Sequence, residues 1–341
     1  MTMLSVGVIG TGMIGLDHIR RMTTVLSGVR VTAVTDVDAA AAATAGAAIG
    51  ATVHTSGEAL IADPAVDAVV VCSWGPTHEQ YVLASIAAGK PVFCEKPLAT
   101  TQEACLRIVE AEVTHGSRLL QVGYMRRYDV AYRALKQVLD TGQIGAPLMM
   151  HCAHRNASVP PFYVKEMAIT DSAVHEIDLV RWMFASEITA ARVLIPRKST
   201  NSGDLQDPLF LILEMANGVL VDVEVSVNVR YGYDIRGEIL GEDGTAALGE
   251  LSPVTVRRAG QVSTPVPADW RDRFILAYDV EFQEWIDSIA GGGEPVGPSA
   301  WDGYAAAAVS DAGVTALRTG ERVVITLAEQ PKLYQPPAVT A

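Results

Sequence analysis

Apolar residues fall in short, unbroken blocks along the first third of the chain. The block at 4–9 ends in glycines, as a strand buried on both faces does. A helix is predicted over 13–26 and a second strand over 29–35, closing on Asp36. The alanine-rich stretch 39–49 is predicted as a helix, since alanine is the best helix former. Further buried strands are predicted over 68–72, 91–94 and 119–122. Between them lie helices over 79–88 and 101–115, the second capped by Thr100 or Thr101. Repeated β-α units of this length predict a doubly wound parallel sheet.

The pattern changes after Gly123. A helix is predicted over 130–141, then a loosely alternating strand over 148–154. Strand-like runs follow over 209–215, 218–227, 236–241 and 255–258. Asn217-Gly218 and Glu242-Asp-Gly-Thr245 read as hairpin turns. Two late helices are predicted over 274–290 and 300–319, joined by the loop Gly291-Gly-Gly-Glu-Pro295. This half predicts an α+β domain with a mostly antiparallel open sheet. The expected division is 1–123 and 124–341, with no internal repeat.

Composition narrows the functional classes. Of 341 residues, 49% are hydrophobic and 19% charged, enough apolar material for a large core. The net charge of −13 argues against a nucleic-acid partner, where a basic footprint is expected, and favours a neutral substrate over an acidic one. Cys72, Cys94, Cys105 and Cys152 show no CxxC pairing and read as reduced core residues. The start lacks a basic region before its short, glycine-broken apolar run, so it reads as a strand and not a signal peptide. No stretch is long and apolar enough for a membrane span, and the cytoplasm is the expected location.

The motif Gly10-Thr-Gly-Met-Ile-Gly15 follows a strand and opens a helix. In that context it predicts a dinucleotide site: glycines permit the tight turn and close approach to a pyrophosphate, and the helix offers free N–H groups. Asp36 stands where an acid takes the ribose hydroxyls and repels a 2′-phosphate, which favours NAD over NADP. Cys72-Ser-Trp-Gly-Pro-Thr-His78 and Glu95-Lys-Pro97 each follow a strand, at the carboxyl edge where ligands sit. Lys96 is expected in the crevice between the domains, where a cis bond to Pro97 would aim it; a structural ion pair is the alternative reading. His78, at a helix start, reads equally as a ligand or a structural residue.

Asp171 and His175 stand four apart in what reads as a helix start, on one face and one turn from each other. A carboxylate beside an imidazole is a general acid/base unit. Alone, His175 is as readily a helix histidine with local partners; beside a hydride-carrying cofactor the pair implies redox chemistry at a carbon–oxygen bond. Glu176 is expected to point about 100° away, outside the site. Asp178 reads as an orienting group or as a structural hydrogen-bonding residue, Arg127 as an ion-pair partner, and Trp270 as core, subunit packing or crevice. His151, His154, Asp171 and His175 lack the spacing of a zinc site, so no metal is expected.

At this point the chain resembles the glucose–fructose oxidoreductase/inositol dehydrogenase superfamily and, within it, the bacterial inositol 2-dehydrogenases. The likeness covers nearly the whole chain. It rests on the glycine loop, Glu95-Lys-Pro97, Tyr124-Met-Arg-Arg-Tyr-Asp129, Pro147-Leu-Met-Met-His-Cys-Ala-His-Arg-Asn156, Asp171-Ser-Ala-Val-His-Glu-Ile-Asp178, Tyr231-Gly-Tyr-Asp-Ile235 and Gly297-Pro-Ser-Ala-Trp-Asp-Gly-Tyr304. The resemblance implies a Rossmann NAD-binding domain followed by an α+β domain for substrate binding and oligomerisation, and NAD-dependent oxidation of a cyclitol. It implies Lys96, Asp171 and His175 as the catalytic set, with His175 as general base. It places Gly10, Gly12, Met13, Ile14, Gly15, Asp36, Val37, Ser73, Trp74, His78, Glu95 and Lys96 at the cofactor. Arg126, His154, Asn156 and Tyr233, with the catalytic set, surround the polyol. It also implies pairing of sheet faces into dimers and tetramers. Two other readings stay open: the same chemistry on another inositol stereoisomer, a sugar or an anhydrosugar, and an NAD-binding redox sensor without turnover.

Overall fold

The computed structural model describes residues 3–249 and 254–335. The chain forms two compact units. One comprises Met1–Tyr124, Asp279–Ala307 and Leu327–Ala341; the other comprises Met125–Tyr278 and Ala308–Thr326.

In the N-terminal unit, β1 (Leu4–Ile9), α1 (Met13–Thr24), β2 (Val29–Thr35), α2 (Ala39–Ile49), β3 (Thr52–Val53) and α3 (Gly57–Ala62) come first. Then follow β4 (Ala68–Val71), α4 (His78–Ala87), β5 (Val92–Glu95), α5 (Gln102–His115) and β6 (Leu120–Gly123). The six strands are all parallel in the order β3-β2-β1-β4-β5-β6. That is the doubly wound order with its switch between β1 and β4, where ligands bind beyond the strand carboxyl ends. Every residue of β4, β5 and β6 is buried, which is why those strands read as unbroken apolar runs. Asp38 caps α2 by accepting from the N–H groups of Ala40 and Ala41. Thr101 caps α5 through Ala104, so of the two candidate caps the second is used.

The other unit holds α6 (Val130–Asp140), β7 (Pro147–Arg155), α7 (Val174–Phe184), β8 (Ile188–Leu194), β9 (Leu209–Met215) and β10 (Leu220–Ser226). It continues with β11 (Asp234–Gly241), β12 (Thr245–Ala247), β13 (Val256–Arg258) and β14 (Gln261–Ser263). Helices α8 (Trp270–Ile289) and α9 (Ala300–Thr319) each divide between the two units, and β15 (Val323–Val324) belongs to this one. Its main sheet runs β12-β11-β7-β10-β9-β8-β15. All pairs are antiparallel except β10 with β7. Burial alternates along β9, β10 and β11, so one face is core and the other is half-open. The half-open face carries the pairs His151–Asp222 and Arg155–Glu224.

The units depart from a single cut after 123. The first break falls between Tyr124 and Met125, and Asp279–Ala307 groups with the N-terminal unit. The reason is packing: Phe282, Trp285, Ile286 and Ile289, on the second half of α8, bury themselves with Phe93, Val8, Ile19 and Met22 in the Rossmann core. Burying one such side chain contributes about 1.5–3 kcal/mol. Strands β8 and β15 and helix α3 are elements the sequence pattern does not announce, and α8 begins four residues before the predicted start at 274, at Trp270. No helix among the described residues is long and apolar enough to cross a membrane.

Candidate active site

The first cluster forms at the carboxyl ends of β2, β1 and β4. Gly10 has φ +99°, and a Cβ there would stand 2.6 Å from the Cys72 carbonyl. A Cβ at Gly15 would stand 2.0 Å from the Gly10 carbonyl oxygen. Both glycines are therefore demanded by the protein itself. Gly12 differs: a Cβ would meet nothing within 4 Å. It is the N-cap of α1, without a side-chain cap, so no side chain satisfies the first-turn N–H groups. This open cradle fits a pyrophosphate, which is the chemistry expected of NAD.

Asp36 closes the cradle from the end of β2. Its Oδ2 accepts from the Thr11 N–H at 2.5 Å and its Oδ1 from the Asp38 N–H at 2.9 Å. Burial raises its pKa, but these donors outweigh burial and hold the carboxyl below its ordinary range. Met13, Val37 and Trp74 are apolar yet 60%, 105% and 78% exposed, beside three adjacent strand ends. Flat cofactor rings suit such surfaces; a folded core does not explain them. Ile14 is half-buried, and Ser73 Oγ lies 2.7 Å from Thr77 Oγ1.

We expect Gly12→Ala to leave the melting temperature within about 2 °C of wild type while weakening NADH binding about tenfold or more, because the methyl fills only ligand space. Gly15→Ala should lower the melting temperature itself. Fluorescence titration with thermal denaturation separates the two; a Gly12→Ala variant with unchanged NADH affinity would remove this loop from the cofactor site.

The second cluster in this unit surrounds Lys96. The Lys96-Pro97 bond is cis. Lys96 is half-buried, directly after β5. Glu95 is 6% exposed, and its Oε1 lies 2.6 Å from His18 Nε2. Burial pushes the Glu95 pKa up, yet His18 and Lys96 outweigh it and keep the carboxyl low. His78 is 2% exposed, with Nδ1 2.8 Å from the Pro97 carbonyl and Nε2 2.8 Å from the Ser73 carbonyl.

In the other unit, residues from three elements converge. Asp171 lies in a π-helical turn, Ala168–Ala173, that runs directly into α7. The predicted α-helical spacing of Asp171 and His175 is therefore replaced by wider winding, a feature frequent at functional sites. His175 is 7% exposed, and its ring stacks 6.3 Å from that of His154 on β7. Tyr233 packs edge-on to His154 at 6.0 Å. Burial pushes its phenol up to about 12, so it is a neutral donor. Asn156 follows β7; its side-chain oxygen is buried without a partner among the described residues. A buried acceptor left unpaired costs about 1–3 kcal/mol, and a ligand hydroxyl would satisfy it.

Glu176 corrects the expectation that it points away. It is 1% exposed and ion-pairs with Arg126, while its Oε2 lies 3.0 Å from His154 Nδ1. Arg126, 1% exposed, also lies over the Phe274 ring at 5.5 Å. Burial raises the Glu176 pKa, but Arg126 and then His154 overcome it and hold the carboxyl at about 2. The α7 helix is buried on all sides over Val174–Arg181, so a charge on its far face meets protein and not water. The available sequence signal was the oppositely charged Arg126, which needed a partner. Asp178 has one too: its Oδ2 accepts from Arg127 Nε at 2.9 Å. Trp270 begins α8 and packs edge-on to Tyr278 at 5.5 Å.

Residues 4–124 match the oxidoreductase-family model described as an NAD-binding Rossmann fold. Residues 136–325 match the model of its C-terminal alpha/beta domain. The chain is 54% identical to inositol 2-dehydrogenase of Ralstonia nicotianae, over 97% of this chain and 99% of that protein. It is 52% identical to inositol 2-dehydrogenase 3 of Saccharopolyspora erythraea, over 96% and 97% of the two chains. Among solved structures, myo-inositol dehydrogenase of Lactobacillus casei in complex with NAD(H) and myo-inositol is 44% identical. Its TM-score is 0.95, over 98% of this chain and 100% of that one.

Proposed function

The chain belongs to the GFO/IDH/MocA oxidoreductase family, whose N-terminal domain binds NAD, and from that premise we infer that it oxidises a cyclitol ring hydroxyl to a ketone. The preferred substrate in this reading is myo-inositol, giving 2-keto-myo-inositol. The observation that carries it is the near-complete likeness, in sequence and fold, to a protein solved with NAD(H) and myo-inositol.

When bound, NAD supplies the hydride acceptor. The chain's own residues handle the proton and the geometry. His175 takes the hydroxyl proton on its ring, and Asp171 orients that ring and offsets its charge. Lys96 donates to the reacting oxygen and favours its deprotonated form. Arg126, His154, Asn156 and Tyr233 meet the remaining hydroxyls, with the Asn156 oxygen accepting from one of them. Gly10, Gly12 and Gly15 shape the pyrophosphate cradle, Asp36 takes the ribose hydroxyls, and Met13, Ile14, Val37, Ser73 and Trp74 border the rings. In this reading the N-terminal unit, with its core completed by the second half of α8, serves the cofactor, and the unit built on Met125–Tyr278 serves the substrate and assembly. The protein works in the cytoplasm as a homotetramer: four buried cysteines without disulfides suit a reducing compartment, and the half-open sheet face offers a surface to a second copy.

The test is a panel of myo-, scyllo- and chiro-inositol and glucose with NAD, compared by kcat/KM. A mismatched hydroxyl that leaves a buried donor or acceptor unpaired costs about 1–3 kcal/mol, so myo-inositol should lead by about tenfold. A sugar in first place, or no turnover on any of them, would overturn the assignment.

A further inference from the structure

Lys96 is flanked on both sides by residues held by buried histidines, and all the groups involved lie in the N-terminal unit. On the amino side, the Glu95 carboxylate meets His18 Nε2 at 2.6 Å. On the carboxyl side, the Pro97 carbonyl meets His78 Nδ1 at 2.8 Å. His18 is 0% and His78 2% exposed, so neither ring touches a ligand through an open face.

The protonation of His18 follows from its other neighbour. Its Nδ1 contacts the Arg21 guanidinium. A guanidinium has donors only, so Nδ1 accepts and the ring proton sits on Nε2, directed at Glu95. Arg21 is itself fixed: its Nη2 donates to Asp17 at 2.6 Å and its Nε to Asp279 at 3.1 Å. The ring packs 4.4 Å from that of Phe282. Burial lowers the His18 pKa more than Glu95 raises it, which agrees with a neutral ring. The result is a buried chain running from α8 and α1 through His18 to the residue before Lys96.

His78 holds the residue after it. Its ring is wedged between two backbone carbonyls, those of Ser73 and Pro97, and so joins the loops after β4 and β5. Burial lowers its pKa more than the two carbonyls raise it. A neutral ring gives its proton to one carbonyl at a time, and the Nδ1–H form is the one that holds Pro97.

We propose that His18 and His78 are positioning residues that clamp the Glu95-Lys-Pro97 loop from its two sides and thereby aim Lys96, and that His78 does so in place of contacting the cofactor. The proposal rests on the reading of Lys96 as a catalytic group. Displacing a catalytic group by about 1 Å can cost 10²-fold in rate without loss of binding.

Amide side chains test the clamp atom by atom. The Asn amide group reproduces Nδ1 of histidine and the Gln amide group reproduces Nε2. His18→Gln keeps a donor for Glu95, whereas His18→Asn keeps only the partner of Arg21. At position 78 the order reverses: His78→Asn keeps the donor for Pro97, whereas His78→Gln keeps only the contact to Ser73. The full-length variants are read by kcat on myo-inositol, by NADH affinity, and by the rate at which an amine-directed reagent labels Lys96, followed by peptide mass spectrometry. We expect His18→Asn and His78→Gln to lose about tenfold or more in kcat and to label at least about threefold faster. His18→Gln and His78→Asn should stay near wild type, and NADH affinity should hold within about threefold throughout. The same residue order at both positions, unchanged labelling in all four variants, or losses confined to NADH affinity would overturn the clamp. Labelling needs no substrate, so a wild-type protein that oxidises no polyol refutes the assigned reaction while the clamp is still decided.

Discussion

His175→Ala lowers kcat by about 10²–10⁴-fold while NADH binding survives. That range is what a positioned proton acceptor contributes. The expectation rests on how firmly the ring is held: it is 7% exposed, sits on a helix buried on all sides, and stacks against His154. A loosely held surface histidine would give a small effect, because solvent base could replace it. Under the proposed function, in which Lys96 donates to the reacting oxygen, Lys96→Ala should cost a similar factor. Groups that act as a unit are not additive, so the double variant should fall little below the worse single one. Steady-state kinetics with a parallel NADH titration gives the answer. Near-wild-type kcat in either single variant removes that residue from the reaction; fully multiplicative losses mean the two act independently.

Glu176→Gln destabilises the fold by about 3–5 kcal/mol at neutral pH, as expected when one partner of a buried ion pair is removed and the other is left uncompensated. Arg126 is 1% exposed and would keep its charge among Phe274, Tyr132 and Tyr233. The pH dependence provides a second check. The Glu176 carboxyl sits at about 2 in the folded protein against an ordinary 4.5. A depressed folded pKa means the contribution is fully present above about 4.5 and is lost as pH falls toward about 2. Wild type should therefore lose stability across that window more steeply than the variant. Urea unfolding at pH 7 and at a series of acid values measures both quantities; parallel acid profiles would show that Glu176 does not carry the pair. Polyol KM should also rise, because Arg126 and His154 lose the carboxylate that holds them.

Some of this arrangement is legible from the residues alone. Gly10, Gly15 and Asp36 can be placed because glycine loops and strand ends are local: a turn of fixed shape needs no distant partner. The strand runs at 68–72 and 119–122 stand out because a strand buried on both faces has no polar side to obscure it. Other features are not local. Strand β8 alternates only weakly, with Thr189 and Arg192 as its polar residues, and is defined by pairing with β9 and β15. A helix drawn alone puts Glu176 about 100° from the face of Asp171 and His175, and only the burial of all sides of α7 shows that it meets protein there. The two histidine clamps depend on partners 77 and 19 residues away.

The sequence by itself determined the fold class, the cofactor loop, the family and the residues of the candidate site. Periodicity, turn geometry and short motifs carry that information over a few residues at a time. The tertiary structure decided which charges are paired, which imidazole nitrogen bears the proton in His18, and that half of α8 completes the Rossmann core. Those outcomes depend on desolvation and on contacts between distant segments. Burial makes an unpaired charge costly, and only the folded chain shows which partner relieves it.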